Sequence, residues 1–281
     1  MPFSIAVAAR PRAFVKAAGP DAEEYIQRMV SNDVAALKPG DACDALLLTP
    51  KARVIAPLRL LRRGPGDFLL VTEPELGETV RAHLLKSRFA AKVSLELEEH
   101  ESYLLLGPEA SPPPGVLAIP TSDYGVPGFE IVGESEPTEA ARLGDANVIR
   151  LDDARLEELR IRAGTPRFGR EIDDRVLPAE VGLVERAVSL TKGCYPGQEP
   201  IARLHYRGHV NRTLRVLEIE GEELPELDAE IVHGGRSVGR VTSAARAQHA
   251  VIALGFVRVE VPEDASLRVG AAAARVVAAR A

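Results

Sequence analysis

The chain has 281 residues, 46% of them hydrophobic, which is too long for one small core and suits two or three modules. Its 35 Lys and Arg against 41 Asp and Glu leave a formal net charge of -6. That balance argues against direct, charge-driven nucleic-acid binding, which needs clustered cations to displace counterions.

Cys43 and Cys194, the two cysteines, cannot build a disulfide framework, and no Cys/His set has the spacing of a zinc site. A reducing, cytoplasmic setting without a metal centre is the expectation. The segment Met1 to Arg10 has too short an apolar run, and no preceding basic region, for a signal peptide. No run reaches the roughly 18 apolar residues of a membrane-spanning helix, so no membrane partner is expected.

Phe14 to Ala18 reads as a strand broken by Gly19-Pro20, with Asp21 placed to cap a helix from Ala22 to Val30. Cys43 to Thr49 and Arg53 to Leu61 are strand-like and joined by a short turn around Pro50-Lys51. The run Arg62-Arg-Gly-Pro-Gly-Asp67 is a strong turn into a strand at Phe68 to Thr72, predicting a hairpin. Glu75 to Arg88 has helical spacing, followed by strands at Lys92 to Leu97 and Tyr103 to Leu106. This order predicts a small α/β sandwich with a mostly antiparallel sheet.

Ser111-Pro-Pro-Pro-Gly115 reads as a stiff surface connector. Phe129 to Val132 reads as a strand and Asp152 to Ala163 as a helix stopped by Gly164-Thr-Pro166. From Arg212 the texture becomes short β runs, at Leu214 to Ile219, Ile231 to His233, Ser237 to Thr242 and Ala250 to Val259, which predict a small β-barrel or sandwich.

The candidate functional segment is Lys192-Gly-Cys-Tyr-Pro-Gly-Gln-Glu199. Pro196 and Gly197 suit the central positions of a type II turn, because Pro fixes φ and Gly accepts positive φ. Cys194 is then presented on a tight loop. A neighbouring cation at Lys192, or free backbone N–H groups, would favour its thiolate. Gln198 and Glu199 add polar groups that orient a partner, and Arg203 to Gly208 adds positive charge and two rings. The bland alternative makes Cys194 a small filler under a turn and Lys192 a solvated charge. Cys43, in an apolar strand, reads as core. Asp173-Asp174 reads as a solvated loop, and His205 and His209 as helpers or surface residues.

The string Lys192 to Glu199, with Ile201-Ala-Arg203 and Tyr206-Arg-Gly208 after it, resembles the KGCYxGQE motif of YgfZ-type proteins, relatives of the glycine-cleavage T-protein. Gly193, Tyr195, Gly197, Gln198, Glu199 and Arg203 match it around Cys194 and Lys192. The resemblance extends through Tyr25 to Val34, Leu48-Thr-Pro-Lys51, Leu159 to Gly164 and Gly169 to Asp173. It implies an α+β, three-domain ring with ferredoxin-like α/β modules, a small C-terminal β-barrel and a central folate pocket. The expected division is residues 1–48 plus 112–208 for folate, 49–111 for an α/β module and 209–281 for the barrel.

The resemblance further implies tetrahydrofolate or a folate derivative as cofactor. It implies iron–sulfur assembly or client proteins as partners, with indirect support of tRNA modification. Aminomethyl transfer to tetrahydrofolate is the alternative. In the T-protein a carboxylate sits near the reacting folate nitrogen; the matching position here is Pro57, with Ala56 before it, and neither accepts a proton. Glu130 falls where a T-protein Glu holds the pterin. Leu156 falls where relatives carry Arg or Trp, with Arg155 or Arg160 to compensate. Glu180 either lines the pocket or caps the next segment.

Overall fold

The computed structural model describes residues 3–133 and 148–279. Strand β1 (Ile5–Ala9) opens the first sheet. Strand β2 (Ala13–Ala18) and helix α1 (Ala22–Met29) follow, then β3 (Ala42–Leu48), β4 (Val54–Gly64) and β5 (Asp67–Thr72). Helix α2 (Gly77–Ser87), β6 (Ser94–Glu98) and β7 (Glu101–Leu106) lead to β8 (Leu117–Thr121), β9 (Gly128–Gly133) and β10 (Val148–Arg150). Among these described strands, one sheet has the order β10-β1-β7-β9-β8 and the other β3-β4-β5-β2-β6. Apart from the parallel pair β1–β10, neighbouring strands run antiparallel.

Strand alternation decides what each sheet face meets. Ala56, Leu58 and Leu60 of β4 face Tyr25, Ile26 and Met29 of α1 and Val80 and Leu84 of α2, forming one core. The opposite face brings Phe14, Leu61, Leu69 and Val71 against Ile119 of β8 and Val132 of β9, so the two sheets pack on each other. Arg59 and Pro57 of β4 and Glu130 of β9 lie in register with this inter-sheet layer, two or four residues from Leu61 and Val132.

Asp21 does not cap α1; its carboxylate instead accepts from Lys92 N at 2.7 Å and ties the helix start to the run before β6. The division expected between residues 48 and 49 falls inside the second sheet, between β3 and β4. The connection there is a hairpin turn, with Thr49 N donating to Arg53 O and Ala52 N to Thr49 O, each at 2.9 Å. The first 48 residues accordingly supply strands to both sheets.

Helix α3 (Asp153–Arg162) starts at Asp152, whose side chain accepts from Arg155 N at 2.8 Å. It packs Leu159 on the first sheet and Ile161 on the C-terminal module. A one-turn helix α4 (Val184–Ala187) and helix α5 (Gln198–Arg207) cross the molecule before the barrel. The barrel is closed by β11 (Arg212–Glu220), β12 (Glu230–His233), β13 (Arg236–Arg246), β14 (Ala250–Arg258), β15 (Leu267–Val269) and β16 (Ala272–Val277). Closure leaves no free strand edge. The chain is therefore an α+β fold of two ferredoxin-like sheets and a six-stranded barrel. No helix of the described residues is long and apolar enough to cross a membrane.

Candidate functional site

A cleft opens where the two sheets, α3 and α4 meet, with about 670 Å³ of space, part of it open to solvent. Its apolar lining residues are Leu46, Pro57, Leu58, Val71, Phe168, Ile172 and Leu183. Its cationic ones are Arg10 and Arg12 from the β1–β2 link, Arg59, Arg160, Arg167 and Arg186. Asp44, Glu73 and Asp123 also reach it.

Apart from Arg160 and Arg167, which pair with Glu157, these charges form a continuous chain. Glu73 accepts from Arg10 Nη2 at 2.9 Å and Arg12 Nη1 at 2.8 Å. Glu130 accepts from Arg12 Nε at 2.6 Å and Arg59 Nη1 at 3.1 Å. Arg59 donates onward to Asp123 and, at 3.1 Å, to Thr121. Arg186 of α4 bridges Asp44 at 2.6 Å and Asp123 at 2.7 Å. Burial on its own would push the Glu130 and Asp123 carboxyls up. The facing guanidiniums outweigh it and hold both below the ordinary carboxylate range. Arg10 Nε is buried without a hydrogen-bond partner.

The Lys192 to Glu199 segment supports this cleft and does not line it. The turn at Pro196-Gly197 is type II as the sequence predicts: Gly197 has φ +84° and ψ 2°, and Gln198 N donates to Tyr195 O at 3.3 Å. A Cβ at Gly197 would lie 2.7 Å from Thr49 O, so this turn sits directly on the β3–β4 hairpin. Tyr195 is buried among Leu46, Leu48 and Val54. Ser31 after α1 completes the clamp, donating to Ala187 O at 2.6 Å and accepting from Leu46 N at 2.8 Å.

Lys192 is buried, with its ammonium on the carbonyls of Gln27, Val30 (2.7 Å) and Asn32 (2.8 Å) at the end of α1. It caps the negative end of that helix. Burial pulls the ammonium down to about 8, with Asp33 acting in the opposite direction. The expectation that Lys192 acts on the Cys194 thiol is corrected by this geometry, since carbonyl oxygens surround the Nζ. Cys194 itself is exposed, as are Gly193, Glu199 and Arg203, while Gln198 is half-buried.

Comparison with known proteins places this geometry. No family model matches the chain. It is 29% identical over 287 residues to the tRNA-modifying protein YgfZ of Edwardsiella ictaluri, covering 91% of this chain and 85% of that one. It is 28% identical over 256 residues to an aminomethyltransferase of Rubrobacter xylanophilus, covering 80% of this chain and 68% of the relative. The chain is a homologue of both proteins. The crystal structure of glycine cleavage system aminomethyltransferase T from Bartonella henselae superposes with a TM-score of 0.82 at 22% identity, covering 98% of this chain and 86% of that one. At that identity the likeness concerns the fold.

Against this homology, the site residues expected for folate fall unevenly. Pro57 lines the cleft, and its carbonyl accepts from Thr72 Oγ1 at 2.8 Å. Glu130 is wholly buried behind the cleft, and both its oxygens are taken by arginines, so it orients Arg12 and Arg59 in place of meeting a ligand. Leu156 packs into the core beneath the first sheet, whereas Arg160, one turn on, reaches the cleft. Arg155 turns to Glu158. Glu180 caps Leu177 N at 2.9 Å and pairs with Arg212 of the barrel at 2.8 Å, away from the cleft. Asp173 pairs with Arg175 at 2.6 Å. Sequence reasoning missed Arg10, Arg12, Arg59, Arg167 and Arg186, which share no local signal beyond being arginines.

Proposed function

We propose that this protein is a folate-dependent accessory protein of iron–sulfur cluster assembly or repair, indirectly supporting tRNA modification, and acts in the cytoplasm. Tetrahydrofolate or a derivative occupies the cleft, and Cys194 is the thiol presented to iron–sulfur assembly or client proteins. The residues fit such a cofactor: the half-buried Pro57 and Phe168 offer apolar lining for a planar ring, and Arg10 keeps a buried donor without a partner. Bound tetrahydrofolate would supply a nitrogen able to carry a one-carbon unit.

The observation that carries this reading over aminomethyl transfer is the wall at Pro57. Transfer calls for a carboxylate that steadies charge at the reacting nitrogen. Pro57 offers none, and the carboxylates that reach the cleft, Asp44, Glu73 and Asp123, are each already engaged by arginine. The names of the relatives, one a tRNA-modifying protein and one an aminomethyltransferase, leave both roles open on homology alone.

The test has three arms on the full chain. Calorimetric titration should detect tetrahydrofolate binding. Incubation with an aminomethyl-lipoyl carrier and tetrahydrofolate should release no ammonia above background. In a strain lacking its own homologue, the wild-type gene should restore iron–sulfur enzyme activity and Cys194→Ala should not. Ammonia release, or full restoration by Cys194→Ala, would overturn the assignment.

A further inference from the structure

A second cavity lies where residues 177–179, α4, α5 and residues 209–210 meet, and it shares no lining residue with the cleft. It leaves about 170 Å³ for an occupant. An apolar cavity of about 150 Å³ takes up a benzene ring, so the space suits one ring or one branched chain. Pro178, Val184, Pro200, Ile201, Leu204 and Val210 supply apolar lining.

Three polar side chains share that lining: Glu185 of α4, His205 of α5 and His209 beyond it. All three are exposed, and none makes a hydrogen bond or ion pair among the described residues. His205 meets only the Tyr206 ring, edge-on at 4.9 Å. Among the lining residues there is no lysine or arginine. An apolar pit with a few uncommitted polar groups is the common form of a small-molecule site.

The three groups are not arranged for a metal, since no group of three His, Cys, Asp or Glu among the described residues could hold one. An occupant that reaches all three is larger than an ion. A carboxylate only accepts hydrogen bonds, and a neutral imidazole keeps one accepting nitrogen. A primary ammonium has three N–H donors and no acceptor, and its bond to a carboxylate is charge-assisted. Leu204 and His205 belong to the last turn of α5, where the partial negative charge of the helix end favours a cation. A carboxylate ligand would instead meet Glu185 with like charge.

We infer that this cavity binds a primary ammonium carried on a compact apolar body. Glu185 pairs with the ammonium, His205 and His209 accept from its remaining N–H groups, and the apolar lining takes the body. No cleft residue takes part, so the site stands apart from the folate reading above.

The test is an amide chemical-shift titration of the intact, nitrogen-15-labelled chain at about pH 7.5. The probes are benzylamine, benzyl alcohol and benzoate, which share a ring and differ in the polar end, and methylamine, which lacks the ring. Saturable shifts should centre on residues 177–185 and 200–210. Benzylamine should bind about tenfold more tightly than benzyl alcohol, the margin of a charge-assisted over a neutral hydrogen bond, with benzoate weaker than both. Methylamine should give no saturable shift. Glu185→Gln, at an exposed position, should bring benzylamine to the level of benzyl alcohol and leave benzyl alcohol within about twofold.

Benzoate or methylamine binding there as tightly as benzylamine would overturn the inference. So would a benzylamine preference that survives Glu185→Gln, or no saturable shift around the cavity with any of the four. None of these results bears on the folate reading, whose own titration reads the cleft.

Discussion

Glu130 accepts two guanidinium hydrogen bonds from Arg12, Nε at 2.6 Å and Nη2 at 3.1 Å, at a position with no solvent exposure. Arg59 adds a third at 3.1 Å. Removing one member of a buried ion network leaves the others desolvated and unpaired, at a cost of about 3 kcal/mol or more. Glu130→Gln should lower the unfolding free energy in urea by that order. A loss under about 1 kcal/mol, the range of an exposed pair, would show that the arginines do not depend on it.

The same network sets the acid limit of stability. Burial raises the Glu130 and Asp123 carboxyls, and the arginines more than reverse it, so both native values lie below the unfolded ones. Their contribution is fully present above the unfolded values, about pH 4 to 4.5, and is lost as the pH falls through the native ones. The melting temperature should be steady from pH 7 to about 5 and drop steeply below about 4. Glu130→Gln should make that drop shallower; an identical slope would exclude Glu130 as a contributor.

Lys192→Met would leave the carbonyls of Gln27, Val30 and Asn32 without their shared donor. A loss of about 2 kcal/mol is expected, each orphaned buried acceptor carrying part of it. The reaction of Cys194 with a water-soluble aromatic disulfide should keep its rate within about twofold, because the ammonium is directed at backbone oxygens. A large rate loss with little loss of stability would restore Lys192 as a partner of the thiol.

The two thiols should separate in the same assay. Burial pushes Cys43 up to about 12, with Asp44 adding to it, whereas Cys194 is exposed. The native chain should show one rapidly reacting thiol, absent in Cys194→Ala, and the second only after unfolding.

Gly197→Ala places a Cβ 2.7 Å from Thr49 O on a residue held at φ +84°. Left-handed strain and the clash together should cost about 2 kcal/mol or more. The proteolytic susceptibility of the 49–53 turn should rise with it. A fully stable Gly197→Ala protein would mean that the turn can relax away from the hairpin.

Local geometry was the legible part of this fold. Pro196-Gly197 dictates its own dihedrals, and the glycine-rich break at residues 64–66 forces a hairpin whatever surrounds it. Strands built of alanine were not legible: Ile5–Ala9 and Ala272–Val277 carry little β-propensity and are held by their neighbours. Leu117–Thr121 contains Pro120 and survives as an edge strand, where a missing N–H costs nothing in the ladder. The cleft was hidden for a different reason. Arg12, Arg59 and Arg186 are 47 and 127 residues apart in the chain, counted from their numbers; Arg12 and Arg59 share Glu130 of the other sheet, and Arg186 joins from α4 through Asp44 and Asp123.

Glu171 lies fully buried between Ser243 Oγ of β13 at 2.7 Å, Arg160 Nη1 of α3 at 3.2 Å and Arg167 N at 3.0 Å. One counter-ion is thus held in common by the barrel, the helix under the first sheet and the turn that forms a cleft wall. A barrel transplanted from a distant relative would strand that charge unless it brought its own hydroxyl to the same spot. The C-terminal module is therefore not a cassette: it can be exchanged between lineages only together with the interior polar group that anchors it.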